Sequence, residues 1–336
     1  MSRKLTVRGM ELLNSNGEVD ASSMGFLFLL DSMAFLIKKV IEQKFFEFSI
    51  AEYVPVDVGT GGWASEIVQP KEFLTGGSFY EGDINDQAGR GRMAETNAAT
   101  SPIRIPTRNW AKKVSWNIFE LAEAANSATG WDIQSSLLKS LKKNWDLGIQ
   151  EQAMLGHPVR NDIPGLLNAP EVTINTLVLA APISQMSQTQ MDALVGALLK
   201  AYYQNSGSTV FPDRLVIPTS DYLGLASILP GSVGQITRLE YLLNAFKKMT
   251  RDESFEILPL NYAEKDQLKT RGMNVSRYML YRNEPEVMSF YIPVDFHMLP
   301  GKVSDDNISF VSTAYGQYSG VMVKRPGELM YFDIAA

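Results

Sequence analysis

Apolar residues recur at every fourth position from Ile133 through Leu137, Leu141, Trp145 and Ile149 to Ala153, and no proline interrupts them. That spacing predicts one long helix over 131–154, with Ile133, Leu137, Leu141, Trp145 and Ile149 as its core residues. At 1.5 Å per residue such a helix is roughly 36 Å long, enough to act as a strut for several layers. Four residues turn the chain by about 400°, so the stripe winds round the helix and different layers must cover different parts of it. Leu138, Leu147 and Met154 widen the apolar surface, while Lys139, Lys142, Lys143, Asp146 and Glu151 keep one side in water.

Before this helix the pattern changes three times. Residues Met1 to Asp20 are polar, with a turn cluster at Asn14 to Gly17, and read as a loose arm. Met24 to Ile41 is apolar on nearly all faces, which predicts a buried helix covered by another subunit. A membrane span fits poorly, because Asp31 would lie mid-bilayer and Lys38 and Lys39 arrive too early, and a signal peptide fits no better without a small-residue cleavage site. From Gly59 to Ser101, eight of the 25 glycines stand among isolated aromatics such as Trp63, Phe73, Phe79 and Tyr80. This stretch cannot build a core of its own. Its charges are sorted, Glu81, Asp83 and Asp86 ahead of Arg90, Arg92, Arg104 and Arg108. One reading is a solvated surface loop; the other is an extended two-stranded arm that docks on a neighbouring copy.

Ile103 to Ser115 is strand-like and Asn117 to Asn126 a short helix. After the long helix, Gly156-His157-Pro158 breaks the pattern and 164–172, PGLLNAPEV, reads as a turn-rich hinge. A second unit follows, with a helix over 188–203, a buried strand at 213–217, a helix from a Ser220 cap through Leu229, and a helix from a Thr237/Glu240 capping box to Met249. Strand patterns then succeed one another: FEILPL, RYMLYR, VMSFYIPVDF, ISFVSTAY, SGVMVK and ELMYFDI.

Composition narrows the chemistry. The chain has 336 residues, room for two or three packed units, and a formal charge of -6, which argues against a surface built to grip nucleic-acid phosphates. It has no cysteine, which removes disulfides, thiolate metal sites and thiol nucleophiles, and only two histidines, His157 and His297. No phosphate-binding glycine loop, nucleophile elbow or metalloprotease motif is present. The acid pairs Asp305-Asp306 and Asp83/Asp86 leave a carboxylate-dependent hydrolase as a remote alternative.

Several stretches carry a family resemblance: GLLNAPEV at 165–172, PDRLVIP at 212–218, YRNEPEVMSFYIPVDFHMLP at 281–300 and YGQYSGVMVKRPGELMYFD at 315–333. In their order, behind a glycine-rich loop and a long helix, they resemble the major capsid proteins of tailed bacteriophages, in the encapsulin-like branch of the Hong Kong-ninety-seven-type capsid fold. The resemblance runs from about Tyr53 to the end; the apolar stretch at 24–41 matches none of the family's motifs. It implies an α+β chain with an N-terminal arm and apolar helix (1–52), an extended Gly-rich loop (53–108), a peripheral domain (109–165 and about 284–314) holding the spine helix, and an axial domain (166–283 and about 315–336). It further implies a non-enzymatic virion protein without cofactor or metal, assembled in the host cytoplasm as pentamers and hexamers into an icosahedral shell. The shell would touch packaged DNA only by weak, non-specific contact and meet a portal and decoration or scaffolding proteins, with no membrane. Phe79, Tyr80, Arg90, Arg92 and Arg104 are the expected inter-subunit contacts. An encapsulin-like nanocompartment enclosing an enzyme cargo is the alternative within the family.

Overall fold

The computed structural model describes residues 6–7, 10–11, 46–75, 97–126, 132–228, 236–305 and 308–334. In chain order the strands are β1 (Thr6–Val7), β2 (Met10–Glu11), β3 (Val56–Val58), β4 (Glu66–Thr75), β5 (Asn97–Pro106), β6 (Arg108–Asn117), β7 (Thr173–Asn175), β8 (Arg214–Pro218), β9 (Glu256–Leu260), β10 (Ser276–Tyr281), β11 (Met288–Ile292), β12 (Val294–Met298), β13 (Lys302–Val303), β14 (Ser309–Tyr318), β15 (Val321–Val323) and β16 (Leu329–Ile334). The helices are α1 (Ile50–Tyr53), α2 (Ile118–Asn126), α3 (Ile133–Leu155), α4 (Gln188–Asn205), α5 (Thr219–Gly224), α6 (Arg238–Thr250) and α7 (Lys265–Lys269).

The expected spine is α3. Asp132 caps it, its carboxylate accepting from Ser135 N at 3.1 Å. Leu141, Trp145 and Ile149 are buried, whereas Ile133 and Leu137 are only half-buried. The large apolar cluster that covers the helix begins at Trp145 and runs to Leu155, so the N-terminal turns are only partly enclosed. Trp145 lies edge-on to Trp110 of β6, ring centroids 5.1 Å apart. Gly316 of β14 lies directly beneath it: a Cβ there would sit 2.5 Å from the Trp145 ring. β14 pairs antiparallel with β6 over Ser309–Tyr318 and carries β12 and β13 on its other edge, so this sheet is the bed of the spine.

A five-stranded sheet in the order β7-β16-β10-β8-β9 forms the second body. Its central strands are apolar at successive positions because both faces are covered. Tyr278, Leu280, Leu215, Ile217, Met330 and Phe332 face the cluster built with α4 and α6. Their neighbours Met279, Tyr281, Val216, Leu329 and Tyr331 face the cluster shared with α3. Within this core Arg277 donates to both carboxylate oxygens of Asp333 at 2.7 Å, lies 4.5 Å from the Tyr331 ring centroid, and donates to the Leu167 carbonyl. Both partners of this ion pair are more than nine-tenths buried.

Several sequence expectations need correction. The 164–172 stretch is no hinge: Leu166 N and Leu167 N donate to the carbonyls of Ala153 and Met154 at 2.8 and 2.9 Å, and the Asn168 side chain bridges Gly165 N and the Leu155 carbonyl. It is a buried cap on the end of α3. Ser220 caps nothing. Pro218 stands at the N-cap of α5, Ser220 N donates to Glu264, and the helix stops at Gly224, which lies against Ser184 with no room for a side chain. The run at 103–115 is two strands broken at Thr107, and that at 287–296 is two strands broken at Pro293, where proline supplies no ladder N–H. Not all of 53–108 is loop, since Tyr53 and Val54 are buried in the main core and β3 pairs in parallel with β11. The apolar stretch at 24–41 lies outside the described residues.

Two stability predictions follow from these contacts. Gly316→Val should cost about 1–3 kcal/mol by overpacking against Trp145, read as a lower denaturation midpoint with a shifted tryptophan emission. Arg277→Leu alone should cost about 3–5 kcal/mol by stranding Asp333, while the double replacement Arg277→Leu with Asp333→Leu should recover most of that loss.

Candidate assembly surfaces

β4 and β5 form a two-stranded hairpin on their own, paired over ten positions from Glu66↔Pro106 to Thr75↔Asn97. Among the described residues, its root is the part anchored in a core. Ile105 is buried with Tyr291 and Met322, and Ile67 and Ile103 pack beside it. Beyond the root, Ala98 to Pro102 are all exposed. A hairpin without a third strand or a covering face is marginal in water, and its unpaired edges invite another chain.

The root is held by a buried amide that sequence inspection did not single out. Gln317 of β14 accepts from Trp63 N at 2.7 Å and donates to the Ala64 carbonyl at 2.9 Å and to Thr107 Oγ1 at 3.0 Å. Thr107 Oγ1 in turn donates to the Ala64 carbonyl, and Ser319 Oγ donates to the Pro106 carbonyl at 2.9 Å. A glutamine inside a strand carries no sequence signal of this kind; only the approach of residues 63–64 and 107 to β14 makes it a clamp.

Gln150 of α3 plays the same part for the incoming chain. Its amide donates to the Phe46 carbonyl at 3.0 Å and accepts from Phe48 N at 3.3 Å, tying residues 46–48 to the spine. Glu47 pairs with Lys143 beside it. On the neighbouring flank a groove of about 580 Å³ runs between α3 and β12, lined by Leu138, Lys139, Lys142, Phe296 and Met298 among others. Lys142 lies 5.2 Å from the Phe296 ring centroid and 3.2 Å from Asp146, so its charge is partnered. A smaller recess of about 90 Å³ lies between α3 and the β6/β14 sheet. Gly148 lies there, a helix-interior glycine that costs α3 about 1 kcal/mol relative to alanine.

Of the expected inter-subunit contacts, Phe79, Tyr80, Arg90 and Arg92 lie outside the described residues. Arg104 is on β5 and pairs with Glu66 of the same hairpin at 2.8 Å; both are exposed, so the pair adds little stability. His157 Nδ1 accepts from Val159 N, and His297 is exposed beside Tyr315. Among the described residues there is no group of three metal-ligating side chains, and no helix is long and apolar enough to cross a membrane. Asp83, Asp86 and Asp306 are outside the described residues.

Comparison with solved structures recovers the same architecture. The capsid protein of Myoviridae phage XM1 superposes with a TM-score of 0.74 at 16% identity, over 90% of this chain and 97% of that one. The match from Mycobacterium phage Ogopogo has a TM-score of 0.57 at 13% identity, over 94% and 100% of the two chains. That from the capsid of cyanophage P-SCSP1u has a TM-score of 0.54 at 13% identity, over 91% and 94%. The fold is thus the Hong Kong-ninety-seven-type capsid fold, with its mixture of helices and sheets. A search of curated proteins finds no match. The family model described as "Major capsid protein" matches residues 93–334, which includes the spine, both sheet bodies and one strand of the hairpin. This chain belongs to the major capsid protein family, and its work in the virion is structural rather than catalytic.

Proposed function

We propose that copies of this chain associate as pentamers and hexamers into a closed icosahedral shell around DNA, with the β4–β5 hairpin of each copy laid across the next. The observation that carries this reading is the hairpin itself: ten paired positions, a clamped root, exposed residues at 98–102 beyond it and, among the described residues, no third strand. Such an element gains order by burying its free side on another molecule. A repeated head-to-tail contact of this sort closes into rings when the rotation is right, which is what a shell built of one chain requires. The five-stranded body faces the capsomer axis and the spine body the periphery. The charge of -6 suits a wall that encloses DNA without adhering to it. A portal fills one vertex, and decoration or scaffolding proteins meet the wall during assembly in the host cytoplasm.

Replacing 76–96 by a two-residue Asn-Gly turn should leave the melting temperature of the dissociated subunit unchanged and abolish particles in electron micrographs; normal particles from that variant would refute the role of the hairpin. Gln317→Leu leaves Trp63 N, a backbone donor, without its acceptor, and should cost about 1–3 kcal/mol. It should also speed proteolysis within 60–66 and 106–108 ahead of global unfolding, as read by mass spectrometry of the first cleavage products. Nucleic acid co-purifying with intact particles supports the DNA shell, whereas an enzyme enclosed in its place points to a nanocompartment.

A further inference from the structure

The sheet that beds the spine has a second face, whose charges differ in arrangement from those of the chain as a whole. Gly316 of β14 lies against Trp145, and Lys112 of β6 donates to Asn144, so these residues and those two positions away from them point toward α3. Their neighbours in the strands point the other way. On that side Ser115 of β6 and Lys302 of β13 flank Val311 of β14, and in the next row Lys113 of β6 lies opposite Thr313. Tyr315 and His297 form the row beyond. Lys113, Ser115, His297 and Lys302 are exposed, and neither lysine forms an ion pair with a described residue. No carboxylate occupies these rows. The acid of β12, Asp295, lies in the bulge between Val294 and His297, where it accepts from Phe296 N at 2.7 Å. On the spine, by contrast, Lys142 pairs with Asp146 and Lys143 with Glu47. In a chain whose acidic residues outnumber its basic ones, 37 to 31, a sheet face with two unpaired lysines and no acid in its rows is a local reversal of charge.

We infer that this face turns toward the interior of the shell and lies against the enclosed DNA, with Lys113 and Lys302 on the phosphate backbone and the hydroxyls of Ser115 and Thr313 donating to phosphate oxygens between them. The inference rests on the shell proposed above and goes beyond it by naming the face that meets the DNA and the groups that touch it. Lysines and hydroxyls are donors to phosphate and carry no readout of base edges, so the contact is independent of sequence. β6 and β14 pair over ten positions, a length of about 34 Å, which matches one turn of the double helix. Two cations per copy are too few to hold DNA on a single subunit, yet copies side by side along one continuous duplex add their contacts. Weak holding by each copy is also what an overall charge of -6 allows.

The chain has no cysteine, so full-length Ser115→Cys places a single thiol between the two lysines. In DNA-filled particles this thiol is expected to react with a small maleimide several-fold more slowly than in the same particles emptied of DNA. Equal reactivity in filled and empty particles overturns the inference and leaves the shell standing. Ready reaction of intact particles with a maleimide too bulky to cross the wall overturns it as well, since the face then turns outward, toward an acidic protein. Dissociated subunits and a short double-stranded DNA fragment at low salt give a second readout. Replacing both lysines, Lys113→Gln with Lys302→Gln, should flatten the plot of log affinity against log salt by about 2, because each phosphate contact on B-DNA contributes about 0.9 to that slope. Lys113→Arg with Lys302→Arg should keep the slope, and Lys142→Gln, on the spine, should leave it unchanged. An unaltered slope in the double glutamine variant, at an unaltered melting temperature, also overturns the inference. Failure of the unmodified chain to enclose DNA sinks the shell reading and this inference together.

Discussion

The structure depends on one close approach of backbones at the C-terminal end of the spine. Gly156 ends α3 at a positive φ of 68°, and Gly165 and Gly320 come so near that a Cβ on either would overlap main-chain atoms of 154–156 or 163–164. Into that space the 164–168 segment brings its own N–H groups to cap the helix, and Val321 N donates to the Pro164 carbonyl at 2.9 Å. The hydroxyl of Tyr331 donates to the Leu166 carbonyl at 2.6 Å and accepts from Ala169 N at 3.2 Å. One short loop therefore satisfies the helix terminus and fastens it to both neighbouring sheets. Helix ends leave unpaired carbonyls that must find donors, and here the donors come from a loop whose own carbonyls are held by Val321 N and the Tyr331 hydroxyl.

That junction explains how a long strut can be rigid at one end and open at the other. From Trp145 to Leu155 the spine is locked by the main core and by the cap, while its first turns stay half-covered beside the groove against β12. The hairpin shows the same division, with a root clamped by Gln317 and exposed strands beyond. A subunit built this way keeps one shape at its centre and leaves its extremities to be completed by contact.

Much of this was legible in the chain itself. Four-residue recurrence from Ile133 to Ala153 is the helix period, and continuous apolar runs such as RYMLYR and ELMYFDI belong to strands covered on both faces, so the spine and the central sheet could be read directly. Glycine density and isolated aromatics marked the segment that lacks a core, and β4 and β5 within it are indeed an isolated two-stranded element. The hinge reading of PGLLNAPEV failed because glycine, proline and asparagine announce a turn without telling whether it is solvated or buried. Likewise Ser220 looked like a helix cap, but its N–H is taken by Glu264 from a distant part of the chain.

Local pattern determined the elements, the absence of cysteine chemistry, and the family to which the order of motifs pointed, since periodicity, composition and motif order are properties of the linear chain. Tertiary structure alone decided the roles of Gln150, Gln317 and Gly316. Each is an ordinary residue whose meaning comes from what lies opposite it: a chain entering the body, a hairpin root or an indole ring. Hydrogen bonds and steric contacts between residues a hundred or more positions apart are set by packing, and no periodicity along the sequence encodes them.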